Sequence, residues 1–236
     1  MAKAMSSRAL RELRERTRKE KHDKKRKVAT RKVHLNYLIV CEGARTEPNY
    51  FEALIGGRNS RVLDADILGL GQSTCRLVRT AIEERDRSMI EYDRVWVVFD
   101  KDDFADFNEA IALVQSNNIC SAWSNEAFEL WYYLHFQYLD TPINRSQYIE
   151  ALNREIRKYE PDYSYKKNDK STYTILCKYG NLDLAIRFAE RLEMLYNDVN
   201  YATHKPCTKV HHLVMELLNP EEVLEKMIEI VEQGKC

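Results

Sequence analysis

The chain has 236 residues with 44% apolar and 31% charged residues, and 37 basic side chains balance 37 acidic ones. That is enough for one well-packed domain with a helical appendage. No apolar run approaches membrane-spanning length, and the first residues are too basic for a signal peptide, so the expectation is a soluble cytoplasmic protein with no membrane partner.

The neutral total hides an asymmetry. Residues 1–33 hold 14 Lys or Arg against 4 Asp or Glu, a charge of +10, which leaves −10 on residues 34–236. Such an arm attracts nucleic acid through counterion release, or is a solvated extension that aids solubility or contacts the acidic body.

In chain order, "VHLNYLIVCE" reads as a strand buried on both faces, closed by Glu42-Gly43. Thr46 reads as an N-cap with Pro48 in the first turn, and Tyr50, Phe51 and Leu54 share one side of the helix. "VLDADILGL" (62–70) is a second strand. Ser73 or Thr74 then caps a helix striped with Leu77, Val78, Ala81 and Ile82. "RVWVVFD" is the clearest strand, followed by a helix over about 106–115 and a strand "ICSAW" at 119–123. Strand and helix alternate four times, which predicts a parallel α/β sheet flanked by helices over residues 34–135. From Asn125 the period turns helical: "AFELWYYLHF", "SQYIEALNREIRKY", "LDLAIRFAERLEMLY", "VHHLVMELL" and "EEVLEKMIEIVEQ" predict a helical half over 136–236, with "EPDYSYKKNDKST" as a polar loop.

Strand C-terminal ends form the ligand-binding edge of a parallel sheet. Glu42 ends one strand, Asp100 ends another, and Asp102 and Asp103 follow it. Carboxylates converging there repel, and a hard divalent cation is the usual remedy, Mg²⁺ or Mn²⁺ fitting best. Gly43, lacking a Cβ, lets the chain turn sharply and a phosphate approach. Asp100 and Asp102 stand two apart, so both can face one ion in extended chain. Against this, a strand-ending Asp often only caps the next helix, and "DKDDF" can be a solvated turn.

In the next helix, Glu129 is either a further metal ligand or a buried carboxylate paired within the fold, since so apolar a helix demands a partner. His135 reads better as a structural histidine than as a phosphate contact. Arg45, at a helix start, and Lys166, Lys167 and Lys170 are phosphate or nucleic-acid candidates, the lysines alternatively forming a solvated loop. The six cysteines show no close pair and read as reduced thiols. A zinc site is not expected: no ligands fall at finger spacing, and adjacent His211 and His212 should point in different directions.

Strand-Glu42-Gly43 followed by strand-Asp100-Lys101-Asp102 resembles the Toprim signature of primases, topoisomerases and overcoming-lysogenisation-type nucleases. More narrowly, "LIVCEGARTEPNYFEAL", "VWVVFDKDDF", "SNEAFELWYYLHF" and "TKVHHLVMELL" are similar to the RloB-like family, Toprim-related prokaryotic proteins often encoded beside an ATPase in restriction or phage-defence loci. The resemblance spans nearly all of 34–218. It implies a Toprim-like parallel sheet, Glu42 as general acid or base, and Asp100 and Asp102 as metal ligands; Asp103 is an extra carboxylate close by, either a further metal ligand or a partner of the ligands. It departs at Ser124-Asn125-Glu126, where the family often has Asn-Pro, and at Lys205-Pro206-Cys207-Thr208, where it has an Asn-Pro-Ser-Thr-like turn.

The leading expectation is thus a Mg²⁺-dependent nuclease acting on DNA, RNA or tRNA. The rival is a regulatory or binding subunit whose chemistry needs an ATPase partner. A nucleotidyltransferase or primase ranks third, because no zinc module or second catalytic lobe is visible. A homodimer and an ATPase-docking face are equally compatible with the acidic body and helical half.

Overall fold

The computed structural model describes residues 34–57, 62–72 and 74–232. The basic arm of residues 1–33 and the cap candidate Ser73 lie outside the described residues. The elements run β1 (Leu35–Cys41), α1 (Thr46–Gly56), β2 (Leu63–Gly69), α2 (Thr74–Arg87), β3 (Arg94–Asp100), α3 (Phe107–Ser116), β4 (Cys120–Asn125), α4 (Glu129–Leu134), α5 (Arg145–Ile156), α6 (Ser171–Tyr179), α7 (Leu182–Glu193), β5 (Cys207–Thr208), α8 (Val210–Leu218) and α9 (Pro220–Glu232).

The five strands form one sheet in the order β2-β1-β3-β4-β5. β1 pairs in parallel with both β2 and β3, β3 pairs in parallel with β4, and only the β4–β5 pair is antiparallel. The expected α/β class therefore holds, with helices on both faces. β1 shows why: Leu35, Tyr37, Ile39 and Cys41 enter one core, and Leu38 and Val40 enter the other. Alternate residues of a strand face opposite ways, so a strand covered on both sides must be apolar throughout.

The first core joins β1 and α1 to α4–α8, the second joins the sheet to α2 and α3. Each large apolar side chain buried there contributes about 1.5–3 kcal/mol. The helical half thus packs on one face of the sheet, around an aromatic group in which Tyr50 meets Phe51, Phe128 and Tyr173 at 5.4, 5.8 and 5.3 Å between ring centroids. Among the described residues no helix is long and apolar enough to cross a membrane.

Three local expectations change. Thr46 is the first helical residue rather than the cap: its hydroxyl donates to Asn168 Oδ1 at 3.1 Å, and Arg45 takes the cap position without a side-chain hydrogen bond. Residues 171–179 fold as α6, because Thr172, Ile175 and Leu176 are buried at helical spacing. β5 was not expected at all, being two residues long. It pairs Cys207 with Asn125 and Thr208 with Ser124, and a buried hydroxyl contact of 2.9 Å joins Ser124 to Thr208.

Candidate metal and catalytic centre

The chain leaves β1 for β2 on one side and later returns as β3 on the other, so strand order reverses between β1 and β3. The crevice beyond their C-terminal ends is where parallel sheets bind ligands. Glu42 follows β1 directly. Its N–H donates to Val98 O at 2.8 Å, and its Oε2 accepts the Asp100 N–H at 3.1 Å. The carboxylate at 42 therefore faces the end of β3, as expected.

The turn after Glu42 is clamped. Leu70 and Gly71 donate backbone N–H groups to Cys41 and Glu42 carbonyls at 3.1 and 2.8 Å. A Cβ on Gly69 would lie 2.6 Å from the Ala44 carbonyl oxygen, so only glycine lets β2 end this close to the turn. Glycine at 43 also makes room for a neighbouring side chain. A Cβ there would fall 2.0 Å from Glu47 Oε2, so the space that glycine frees is filled by the Glu47 carboxylate.

Asp100 is buried at 7% exposure, and its Oδ2 accepts from Arg145 Nη2 at 2.8 Å. Asp102 takes φ +37°, a left-handed conformation costly for a non-glycine residue. Its Oδ1 lies 2.9 Å from the same Arg145 nitrogen. Glu129 opens α4 at 2% exposure, accepts from the Tyr165 hydroxyl at 3.0 Å and lies 3.6 Å from Arg145 Nε. The Arg145 N–H itself donates to Glu126 at 3.3 Å, and Glu126 also pairs with Lys205.

The electrostatics are those of too many anions in too little water. Burial pushes the Glu42 carboxyl up to about 7; Asp102 and Glu47 add to the rise, while the Asp100 N–H and Arg145 oppose it. Burial, then the charges of Glu47 and Glu129, hold Asp100 well above the usual carboxylate range, against Arg145. Glu47 is raised as well, by burial and by Glu129, and its Oε2 is buried with no hydrogen-bond donor. Burial works against the Arg145 charge, yet Asp100, Asp102 and Glu129 outweigh it and raise the guanidinium's pKa further. Among the described residues no three of these carboxylates offer oxygens all within 4.8 Å of one another. The cluster is thus an open ring about Arg145 rather than a closed cage.

A hard cation fits this donor set. The ring supplies oxygen ligands only, one of them orphaned, and the raised pKa values of Glu42, Glu47 and Asp100 show that Arg145 and Lys167 do not offset its carboxylates. Glu42, Asp100, Asp102 and Glu129, expected from sequence, are brought together; Asp103 is exposed on the adjoining turn. Glu47, Arg145 and Tyr165 were missed. Glu47 carried a readable signal, a carboxylate between a helix start and an apolar stripe. Arg145 and Tyr165 carried none: Arg145 opens α5 as one more basic residue at a helix start, and Tyr165 is a lone aromatic in the polar loop before α6.

Arg45, Lys166, Lys167 and Lys170 are exposed. The loop of the three lysines is tied to α1, because the Asn49 amide donates to Asn168 O at 3.1 Å. Lys167 is close enough to Glu47 to oppose the rise of its pKa. His135 is structural: it is 4% exposed, its Nδ1 meets Trp131 O at 2.9 Å, and burial lowers its pKa to about 4.

His211 and His212 do not point apart as expected. Their ring centroids are 4.0 Å apart, and both Nε2 atoms approach Glu193 Oε2, at 3.3 and 2.8 Å. His211 sits inside the core while His212 stays at the surface, and the carboxylate at the end of α7 lies where both can reach it.

A family model described as "RloB-like protein" matches residues 37–217. No curated protein and no solved structure matches the chain.

Proposed function

Taking as premise that this chain belongs to the RloB-like protein family, we propose that it is a Toprim-type nuclease, dependent on Mg²⁺ or Mn²⁺, that cleaves nucleic-acid phosphodiesters in phage defence alongside an ATPase partner. One observation carries the reading: Glu42, its pKa raised to about 7, hydrogen-bonds the end of β3 at the switch point, beside Asp100 and Asp102. Asp100, Asp102, Glu47 and Glu129 are the residues to hold the cation. When bound, it supplies charge neutralisation at the phosphoryl oxygens and a readily ionised water.

The chain's own groups do the rest. Glu42, titrating near neutrality, is matched to accept or give the proton in flight. Arg145, with its donors aimed at Asp100 and Asp102, is a planar fork suited to phosphate once the carboxylates have another counter-charge. Arg45 and the lysines of 166–170 supply sequence-independent attraction along the crevice rim.

The test is Glu42→Gln, which keeps shape and removes the titration. With circular dichroism unchanged, cleavage of DNA, RNA or tRNA should fall by roughly 10²-fold or more. Cleavage at the wild-type rate would remove Glu42 from the chemistry.

A second reading, a non-catalytic regulatory or nucleic-acid-binding subunit, draws on Arg145: it already pairs with Asp100 and Asp102 at 2.8 and 2.9 Å, the oxygens a metal would need. Purified chain incubated with Mg²⁺ or Mn²⁺ and each nucleic acid separates the two. Cleavage by the isolated chain supports the first, whereas binding without cleavage supports the second.

A further inference from the structure

Ligating chemistry also converges away from the crevice, where the end of α7 meets the start of α8. One ligand atom each from Glu193, His211 and His212 lies within 4.8 Å of the other two, and among the described residues this is the one such trio. His211 is fully buried: its Nδ1 has no hydrogen-bond partner, and its Nε2 stands 3.3 Å from Glu193 Oε2 in a poorly aligned contact. Proteins rarely leave a buried imidazole unsatisfied, because desolvation without a partner costs free energy. Here the Nε2 nitrogen stands beside a carboxylate oxygen that His212 Nε2 also approaches, at 2.8 Å. Lys209 occupies the other oxygen, Oε1, and so leaves Oε2 as the common focus.

We propose that Glu193, His211 and His212 bind a borderline transition cation of the Zn²⁺ class, one per chain. Two imidazoles and a carboxylate suit Zn²⁺ and disfavour Mg²⁺, which prefers an all-oxygen shell. Three protein ligands leave the fourth tetrahedral position to water. The partial exposure of His212 (46%) and Glu193 (31%) gives the ion a way in. The bound ion pins α7 to α8, and since β5 runs directly into α8, it also holds β5 on the edge of β4. The site shares no residue with the carboxylate ring.

The test uses the full chain, stripped by a chelator and titrated with Co²⁺ in excess Mg²⁺, so that the carboxylate ring is occupied. Visible d–d absorption should grow to one Co²⁺ per chain and be abolished by Zn²⁺, and Zn²⁺ should raise the melting temperature. His212→Ala, at an exposed position that does not threaten folding, and Glu193→Gln should each weaken Co²⁺ binding roughly 100-fold and erase the thermal shift. A spectrum that stays that of the aqueous ion, or a His212→Ala chain that binds like the wild type, overturns the proposal.

Discussion

The two ends of β3 carry charged networks of opposite character. At its start, Arg94 pairs with Glu216, whose Oε2 also accepts from Trp96 Nε1 at 3.0 Å and Tyr37 Oη at 3.2 Å. One cation meets one anion, and every polar atom named finds a partner. At its far end Arg145 contacts Asp100, Asp102 and Glu129; Glu42 and Glu47 crowd the same site with Lys167 as the other nearby cation, and an oxygen of Glu47 is left without a donor. A balanced network fastens the fold. An unbalanced one raises the pKa values of its carboxyls, so that protons relieve the repulsion in the absence of another counter-charge.

The strongest way to break this contrast is to remove each cluster's centre. Arg145→Ala should destabilise the cation-free protein by about 3 kcal/mol, since it strips the counter-charge from buried Asp100. Added Mg²⁺ should narrow that gap, which urea denaturation with and without Mg²⁺ measures. Glu216→Ala should cost about 2 kcal/mol, because three donors lose their acceptor at a partly exposed site. Its response to Mg²⁺ should match the wild type. If Mg²⁺ stabilised neither variant more than wild type, the ring would not be a cation site.

A pH series sharpens the same point. The folded pKa of Glu42, about 7, exceeds its ordinary value of 4.5, so between these pH values the native state keeps a proton that the unfolded chain has released. Stability of the cation-free protein must therefore fall as pH rises through that window, by on the order of 2 kcal/mol from Glu42. His135 acts oppositely: its folded pKa of about 4 lies below 6.5, so its contribution is lost as pH falls through that range. Glu42→Gln shares the His135 limb, and the difference between the two stability curves isolates Glu42. The smallest effect is expected from Glu47→Gln, which should stabilise the cation-free protein by about 1 kcal/mol at alkaline pH while weakening its Mg²⁺ response.

What was legible in the sequence follows the range of the interactions. Glu42, Asp100 and Asp102 stand directly behind apolar strands, and parallel topology alone sends strand ends to one edge. Arg145 was silent because nothing local marks an arginine that reaches 45 residues back to Asp100. Glu47 was hidden by a neighbour: glycine at 43 suggests a sharp turn and the approach of a phosphate, and nothing local shows that the Glu47 carboxylate comes to lie against it. α6 escaped because its first turn continues a lysine-rich loop, and its buried stripe of Thr172, Ile175 and Leu176 is short. The blocks at 124–126 and 205–208 meet in space, since Ser124-Asn125 pairs with Cys207-Thr208 and Glu126 pairs with Lys205. Neither block can be interpreted alone.

That same pairing has a bearing on biosynthesis. Thr208 closes the sheet margin 84 residues after Ser124 has left the ribosome, so the nascent chain carries an uncovered strand while the intervening helices are made. Truncation ahead of Cys207 makes that interval permanent and also strips Val210, Leu213, Val214 and Leu217 from the first core, so shortened chains should aggregate through the apolar surface left open, which light scattering checks.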